Sequence, residues 1–335
     1  MHKLGFSLSI FVNKYNSASS SYFNENDGYA VLNTNFFIRL AMIYNFFNKN
    51  YKSLHHLEIY PSGRFSFIYV LLSRFFRVPV ICVERGDLLY YKKDGYGLLT
   101  RLSMWVCYKL SDIVWYREPY MLDLLKKMNV KNTFFLHNAI EQRDEDLLHE
   151  KVSFFKERNI DFLWMNRIIP ERRSDWFVHI LSKEYFKKSK NILAGILEES
   201  TYNQMQESIL KNALDNLSVL KFISDPSQKY KKAKFFVLPA DIIFANNSLL
   251  EAMSYGVVPL VAKQPGTEMI VEDGVNGFVF DYNEESFERA MRKAMETPDE
   301  IYISMSLAAQ NQIRTHFSFD GYLGNLSKLY NQFNI

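Results

Sequence analysis

Cysteine is nearly missing from this chain. Only Cys82 and Cys107 occur among 335 residues, both inside apolar runs. That excludes a disulfide-stapled scaffold and predicts buried thiols in a reducing compartment. A strong charge of either sign is missing as well, with 40 Lys and Arg against 37 Asp and Glu, a net of +3. So mild a balance gives no argument for nucleic acid, yet it suits an anionic membrane surface or a phosphate-bearing substrate. No apolar run is long enough to span a bilayer, since the most apolar stretch, 65–80, is interrupted by Arg74 and Arg77. Residues 4–12 are followed by polar residues without a small-residue cleavage pattern, so no secretory signal is expected. The chain also lacks internal repeats and low-complexity tracts. A cytoplasmic protein is expected, free or at the inner face of a membrane.

An apolar content of 48% over 335 residues is that of a globular protein with room for two cores. Short apolar strands alternate with helical spacing from residue 4 to 136 and again from 161 onward, which predicts α/β domains with doubly wound parallel sheets. The charged, strand-free stretch 141–158 reads as the linker. The expected division is 1–148, 149–316 and a final amphipathic segment, 317–335.

The stretch 235–281 organises the second half. An apolar run, 235–238, ends at Pro239 as a buried parallel strand would. Asn246, Asn247 and Ser248 then open a helix, and Gly256 stands where a left-handed stop is wanted. Residues 257–262 form a second strand, and two tight turns lead to a third, 278–280. Ligands of such sheets sit beyond the strands' carboxyl ends, and a helix N-terminus with free amides suits a phosphate. Two readings of Glu251 stay open. It can close a capping box with Ser248, or, if Asn247 caps the helix, face a ligand.

Three segments carry a resemblance. Asn247-Ser248-Leu249-Leu250-Glu251-Ala252-Met253, then Gly256, then Val271-Glu272-Asp273-Gly274-Val275-Asn276-Gly277 resemble the donor-binding signature of the retaining glycosyltransferases of family 4, the glycosyl transferases group 1. The resemblance implies the GT-B fold, with two Rossmann-like parallel-sheet domains facing a central cleft and a final helix crossing back to the first. It implies transfer of a sugar from a UDP- or GDP-sugar to a glycan or lipid-linked acceptor of a surface polysaccharide. The nucleotide sugar is then a co-substrate, and neither a cofactor nor a metal is expected. The expected partners are that donor and that acceptor, with peripheral membrane association and no nucleic acid.

Residue by residue, Asn166 to Arg172 resembles the family's phosphate-gripping loop, so Arg167 and Arg172 are expected on the diphosphate, where arginine's planar fork suits phosphate oxygens. Glu251 is expected on the donor ribose. Asn246, Asn247, Ser248, Leu249 and Leu250 are expected at the phosphates, and Gly195 and Ile223 near the base, flanked by Leu197-Glu198. In the first domain Arg85 and Asp87 follow a strand and are candidates for the leaving phosphate and the acceptor proton, or for a simple turn pair. The family pairs Glu251 with another glutamate eight residues earlier, but here that position is Ile243, so the donor sugar, the loop or the activity departs from the pattern. Asp144-Glu145-Asp146 imitates a metal triplet and reads as a solvated charge run. His137-Asn138 reads as structural.

Overall fold

The computed structural model describes residues 9–12, 28–31, 35–61, 63–85, 96–140, 158–195, 202–203, 206–207, 209, 214–221, 223, 225–244 and 246–333. The chain divides into two compact units, Met1–Leu136 with Leu323–Ile335, and His137–Tyr322.

In the first unit β1 (Ser9–Val12) pairs in parallel with β2 (Gly28–Val31) as a separate two-stranded sheet. A four-stranded parallel sheet follows in sequence order: β3 (Leu57–Ile59), β4 (Val80–Glu84), β5 (Ile113–Tyr116) and β6 (Thr133–Phe135). The connections contain α1 (Phe36–Asn50), α2 (Ser66–Phe75), α3 (Leu98–Leu110) and α4 (Met121–Lys127). Every residue of β4 and β5 is buried, which explains why 80–83 and 113–116 read as continuous apolar runs rather than alternating ones. Cys82 and Cys107 are buried in this core and form no disulfide. Burial pushes the Cys107 thiol up to about 12, so it stays protonated and inert. The closing segment Leu323–Ile335 belongs here too, where the Tyr330 hydroxyl donates to Glu58 Oε1 at 2.5 Å.

The second unit holds six parallel strands in the order β12-β11-β10-β7-β8-β9. They are β7 (Ile160–Met165), β8 (Asn191–Ala194), β9 (Leu217–Leu220), β10 (Ala233–Leu238), β11 (Val258–Ala262) and β12 (Phe278–Phe280). The chain winds outward from β7 to β9, returns to the other side of β7, and winds outward again from β10. The reversal puts a topological switch point between β7 and β10, and ligands of such sheets bind beyond the carboxyl ends of the strands at that point. Helices α5 (Ser174–Leu181), α6 (Ser227–Lys232), α7 (Asn247–Ser254), α8 (Glu284–Met295) and α9 (Asp299–His316) pack on the sheet, and α10 (Phe319–Tyr330) ends the chain. Phe162 stacks on Phe235 with ring centroids 5.6 Å apart, and Trp164, Phe236 and Phe287 are fully buried as well.

The local signals of the organising stretch act as expected. Gly256 has φ +66°, a left-handed stop that a side chain would strain. Asn276 is buried and clamps its own turn, accepting from the Glu272 amide at 2.7 Å and donating to the Ile270 carbonyl at 3.0 Å. Among the described residues no helix is long and apolar enough to cross a membrane.

Candidate active site

Arg167 leaves the carboxyl end of β7, at the topological switch. Its side chain is exposed, and its amide donates to Asn166 Oδ1 at 2.9 Å. Among the described residues its guanidinium has no hydrogen-bond or carboxylate partner. Gly195, at the end of β8, permits this loop. A Cβ there would collide with the Asn166 carbonyl oxygen, while the Asn166 amide donates to the Ala194 carbonyl at 3.0 Å.

Arg172 lies on the same edge in a different setting. It ends a single 3-10 turn, Pro170–Arg172, and its Nη1 donates to the Ile242 carbonyl at 2.7 Å. The Asp241 amide reaches back to the Glu171 carbonyl at 3.2 Å. Arg172 therefore ties the loop after β7 to the loop after β10. Its neighbour Arg173, at φ 50°, lays its guanidinium over the Trp176 and Tyr282 rings.

Asn246 caps α7. Its Oδ1 accepts from the Leu249 amide at 3.2 Å and its carbonyl from the Leu250 amide at 3.0 Å. Leu249 and Leu250 thus have occupied amides and fully buried side chains, and they anchor the helix to the core. Among the described residues the amides of Asn247 and Ser248 show no hydrogen-bond acceptor, as the first turn of a helix allows. Asn247 Oδ1 accepts from Asn138 Nδ2 at 2.9 Å, and the His137 ring packs on Phe317 at 4.5 Å, so the junction residues brace the helix tip.

The capping box is not formed, because the cap is Asn246 rather than Ser248 and Glu251 lies out of reach. Instead Glu251, half-buried, accepts from the Tyr230 hydroxyl at 3.0 Å. Tyr230 is buried on α6, so this bond fixes one Glu251 oxygen. Ile243 is fully buried and its carbonyl accepts from the Asn246 amide at 3.2 Å. The loop has turned this position into core. Ile223 is half-buried beyond β9, while Leu197-Glu198, Asp87 and Asp144-Glu145-Asp146 lie outside the described residues.

In the first unit, Arg85 is exposed at the end of β4 and lies over the Tyr60 ring, 5.4 Å from its centroid. The adjacent end of β5 adds a residue that sequence reasoning missed. Among the described residues, Glu118 Oε2 is buried without a hydrogen-bond partner. Burial pushes its carboxyl up to about 7 against the pull of Arg117 and Arg85, with Glu84 adding to the rise. Only its place just after a strand beside β4 could have drawn attention to it. Raising a carboxyl in the folded state means that stability falls as pH climbs from about 4.5 to about 7. Glu118→Gln is therefore expected to stabilise the protein by ~1–3 kcal/mol at pH 8 and to change little at pH 4.5. Denaturant unfolding at the two pH values checks this, and equal effects at both would refute it.

Residues 145–332 match the family model of the glycosyl transferases group 1. The chain belongs to that family. Over 222 residues this group 1 glycosyl transferase is 24% identical to the Escherichia coli UDP-Gal:alpha-D-GlcNAc-diphosphoundecaprenol alpha-1,3-galactosyltransferase, a match spanning 64% of this chain and 56% of that enzyme. Among solved structures it is similar to Anabaena HepE in complex with UDP-glucose, with TM-score 0.75 and 13% identity over 97% of this chain and 91% of that one. It is also similar to a glycosyltransferase from Rickettsia africae, with TM-score 0.77 and 13% identity over 99% and 91%. The fold of this family member is GT-B, with two parallel-sheet α/β units.

Proposed function

We propose that this protein is a retaining, metal-independent glycosyltransferase that moves a sugar from a nucleotide diphosphate sugar to a lipid-linked or glycan acceptor in surface polysaccharide assembly. The observation that carries the reading is the switch point, where the exposed Arg167 guanidinium follows β7 and the first turn of α7, with Asn247 and Ser248, follows the loop after the neighbouring strand β10. As the sugar–phosphate bond breaks, charge grows on the departing diphosphate, and preorganised donors of this kind stabilise it. The leaving phosphate then assists deprotonation of the acceptor on the face it departs from. Arg172 keeps the two loops together and adds positive potential, and Glu251, oriented by Tyr230, receives the ribose hydroxyls. Arg85 and Asp87 serve the acceptor side. A UDP-sugar is favoured over a GDP-sugar by the Escherichia coli relative, whose name gives UDP-Gal as donor, and by the UDP-glucose bound to Anabaena HepE. The same relative's diphosphoundecaprenol acceptor supports a lipid-linked substrate, met by peripheral contact with the membrane.

Buried Ile243 favours a second reading, a non-catalytic sugar-nucleotide-binding subunit, since no carboxylate reaches the donor sugar from that position. Nucleotide release from UDP- and GDP-sugars, with and without lipid-diphosphate sugar acceptors, decides between them. Acceptor-dependent UDP release is the expected result. Nucleotide-dependent thermal stabilisation with no release under any acceptor supports the binding subunit instead.

A further inference from the structure

The outer side of three helices in the first unit is unlike a surface built for water. Helices α1, α2 and α3 adjoin in that order. Phe36 packs on Phe65 with ring centroids 4.8 Å apart, and Arg74 Nε donates to the Leu110 carbonyl at 2.7 Å. Their inner faces supply core residues, including Ile43 and Phe47 from α1, Val70 from α2, and Met104 and Cys107 from α3. Their outer faces are apolar as well. Phe37 is 76% exposed, Phe75 72%, Leu98 82% and Leu102 55%, with Leu71 and Trp105 beside them. A solvated helix should be polar on its outer side, and several large apolar side chains exposed on three neighbouring helices mark an interaction surface.

Charge identifies the occupant. The three helices are 15, 10 and 13 residues long and contain no Asp or Glu, although acids nearly equal bases in the chain as a whole, 37 against 40. They and their adjoining turns carry Arg39, Lys49, Lys52, Arg64, Arg74, Arg77, Arg101 and Lys109. Among the described residues Arg74 lies beside the Asp112 carboxylate at 3.4 Å, and Lys49, Lys52, Arg64 and Arg77 are exposed. Large apolar side chains rimmed by cations, with an indole among them, fit an anionic lipid surface, where the rings enter the headgroup boundary and the cations meet phosphates. A second copy of this chain fits poorly, because two acid-free positive faces would meet.

We infer that the outer face of α1, α2 and α3 is a membrane-docking surface for anionic phospholipid. The inference deepens the reading of a lipid-linked acceptor, but its test needs neither donor nor acceptor. The full chain is sedimented with phosphatidylglycerol-containing vesicles and with pure phosphatidylcholine vesicles. The double variant Phe75→Glu, Leu98→Glu is measured alongside. Both side chains are highly exposed, so thermal unfolding of the variant should match that of the parent and donor-nucleotide binding should persist. Parent protein is expected to bind the anionic vesicles and to lose most binding in high salt. The variant is expected to bind roughly tenfold more weakly at low salt. Absence of binding to anionic vesicles, or equal binding by parent and variant, overturns the inference. So does a concentration-dependent dimer that the double variant abolishes without any vesicle binding. A docking failure with intact nucleotide release leaves the glycosyltransferase reading standing, and the converse result leaves the membrane surface standing.

Discussion

Arg167→Ala is expected to lower kcat by about 10²–10³ while leaving the fold intact, the loss seen when one preorganised donor to developing negative charge is removed. The size follows from the setting. The guanidinium is exposed at the switch point, so it is available to a diphosphate and its removal opens no cavity. Arg167→Lys keeps the charge but not the planar fork and should recover only part of the rate. The neighbouring Arg172→Ala should behave differently, because Arg172 holds the Ile242 carbonyl and its loss frees two loops together. Steady-state nucleotide release paired with thermal unfolding separates the two cases. A kcat for Arg167→Ala within threefold of the parent would remove this residue from the mechanism.

Arg158→Ala is expected to destabilise the second unit by about 3–5 kcal/mol, the range for leaving buried partners of a charge uncompensated. Arg158 is only 3% exposed, and burial holds its pKa below the usual arginine range. Its Nη1 donates to the carbonyls of Tyr230, at 3.3 Å, and Ala233, and its Nη2 donates to the Tyr255 carbonyl at 2.6 Å. Those carbonyls lie at the carboxyl-terminal ends of α6 and α7, where helix dipoles favour a cation. Removing the side chain takes a donor from all three carbonyls inside the protein, although that of Tyr230 keeps the Ala233 amide. For a unit of this size the midpoint of thermal unfolding should fall by roughly 2–4 °C per kcal/mol. Arg158→Lys, with one point charge for three separated carbonyls, should restore less than half of the loss. A shift under 2 °C for Arg158→Ala would mean that water replaces the side chain without penalty.

Much of the fold was legible because its signals are local. The apolar runs 80–83, 113–116, 235–238 and 258–262 announced parallel strands buried on both faces, and Asn246 and Gly256 marked the ends of α7. The thirty-odd residues resembling the family's donor signature carry the expectation of a diphosphate site in consecutive residues alone. The boundary residue of the cap was less legible. Asn246, Asn247 and Ser248 are all good caps, and the choice among them rests on where the preceding loop delivers the chain. That choice excluded the capping box and decided which amides stay open.

The sequence by itself determined the α/β class, the group 1 signature and the presence of arginines beside strand ends, because each depends on spacing along a few consecutive residues. Only the tertiary structure decided that Arg167 stands open while Arg172 clasps a loop, that Ile243 is core, that Glu251 answers to Tyr230, and that Glu118 is buried near Glu84 and Arg85. Those outcomes depend on strand order and on which groups lose water, and both arise from contacts between segments far apart in the chain.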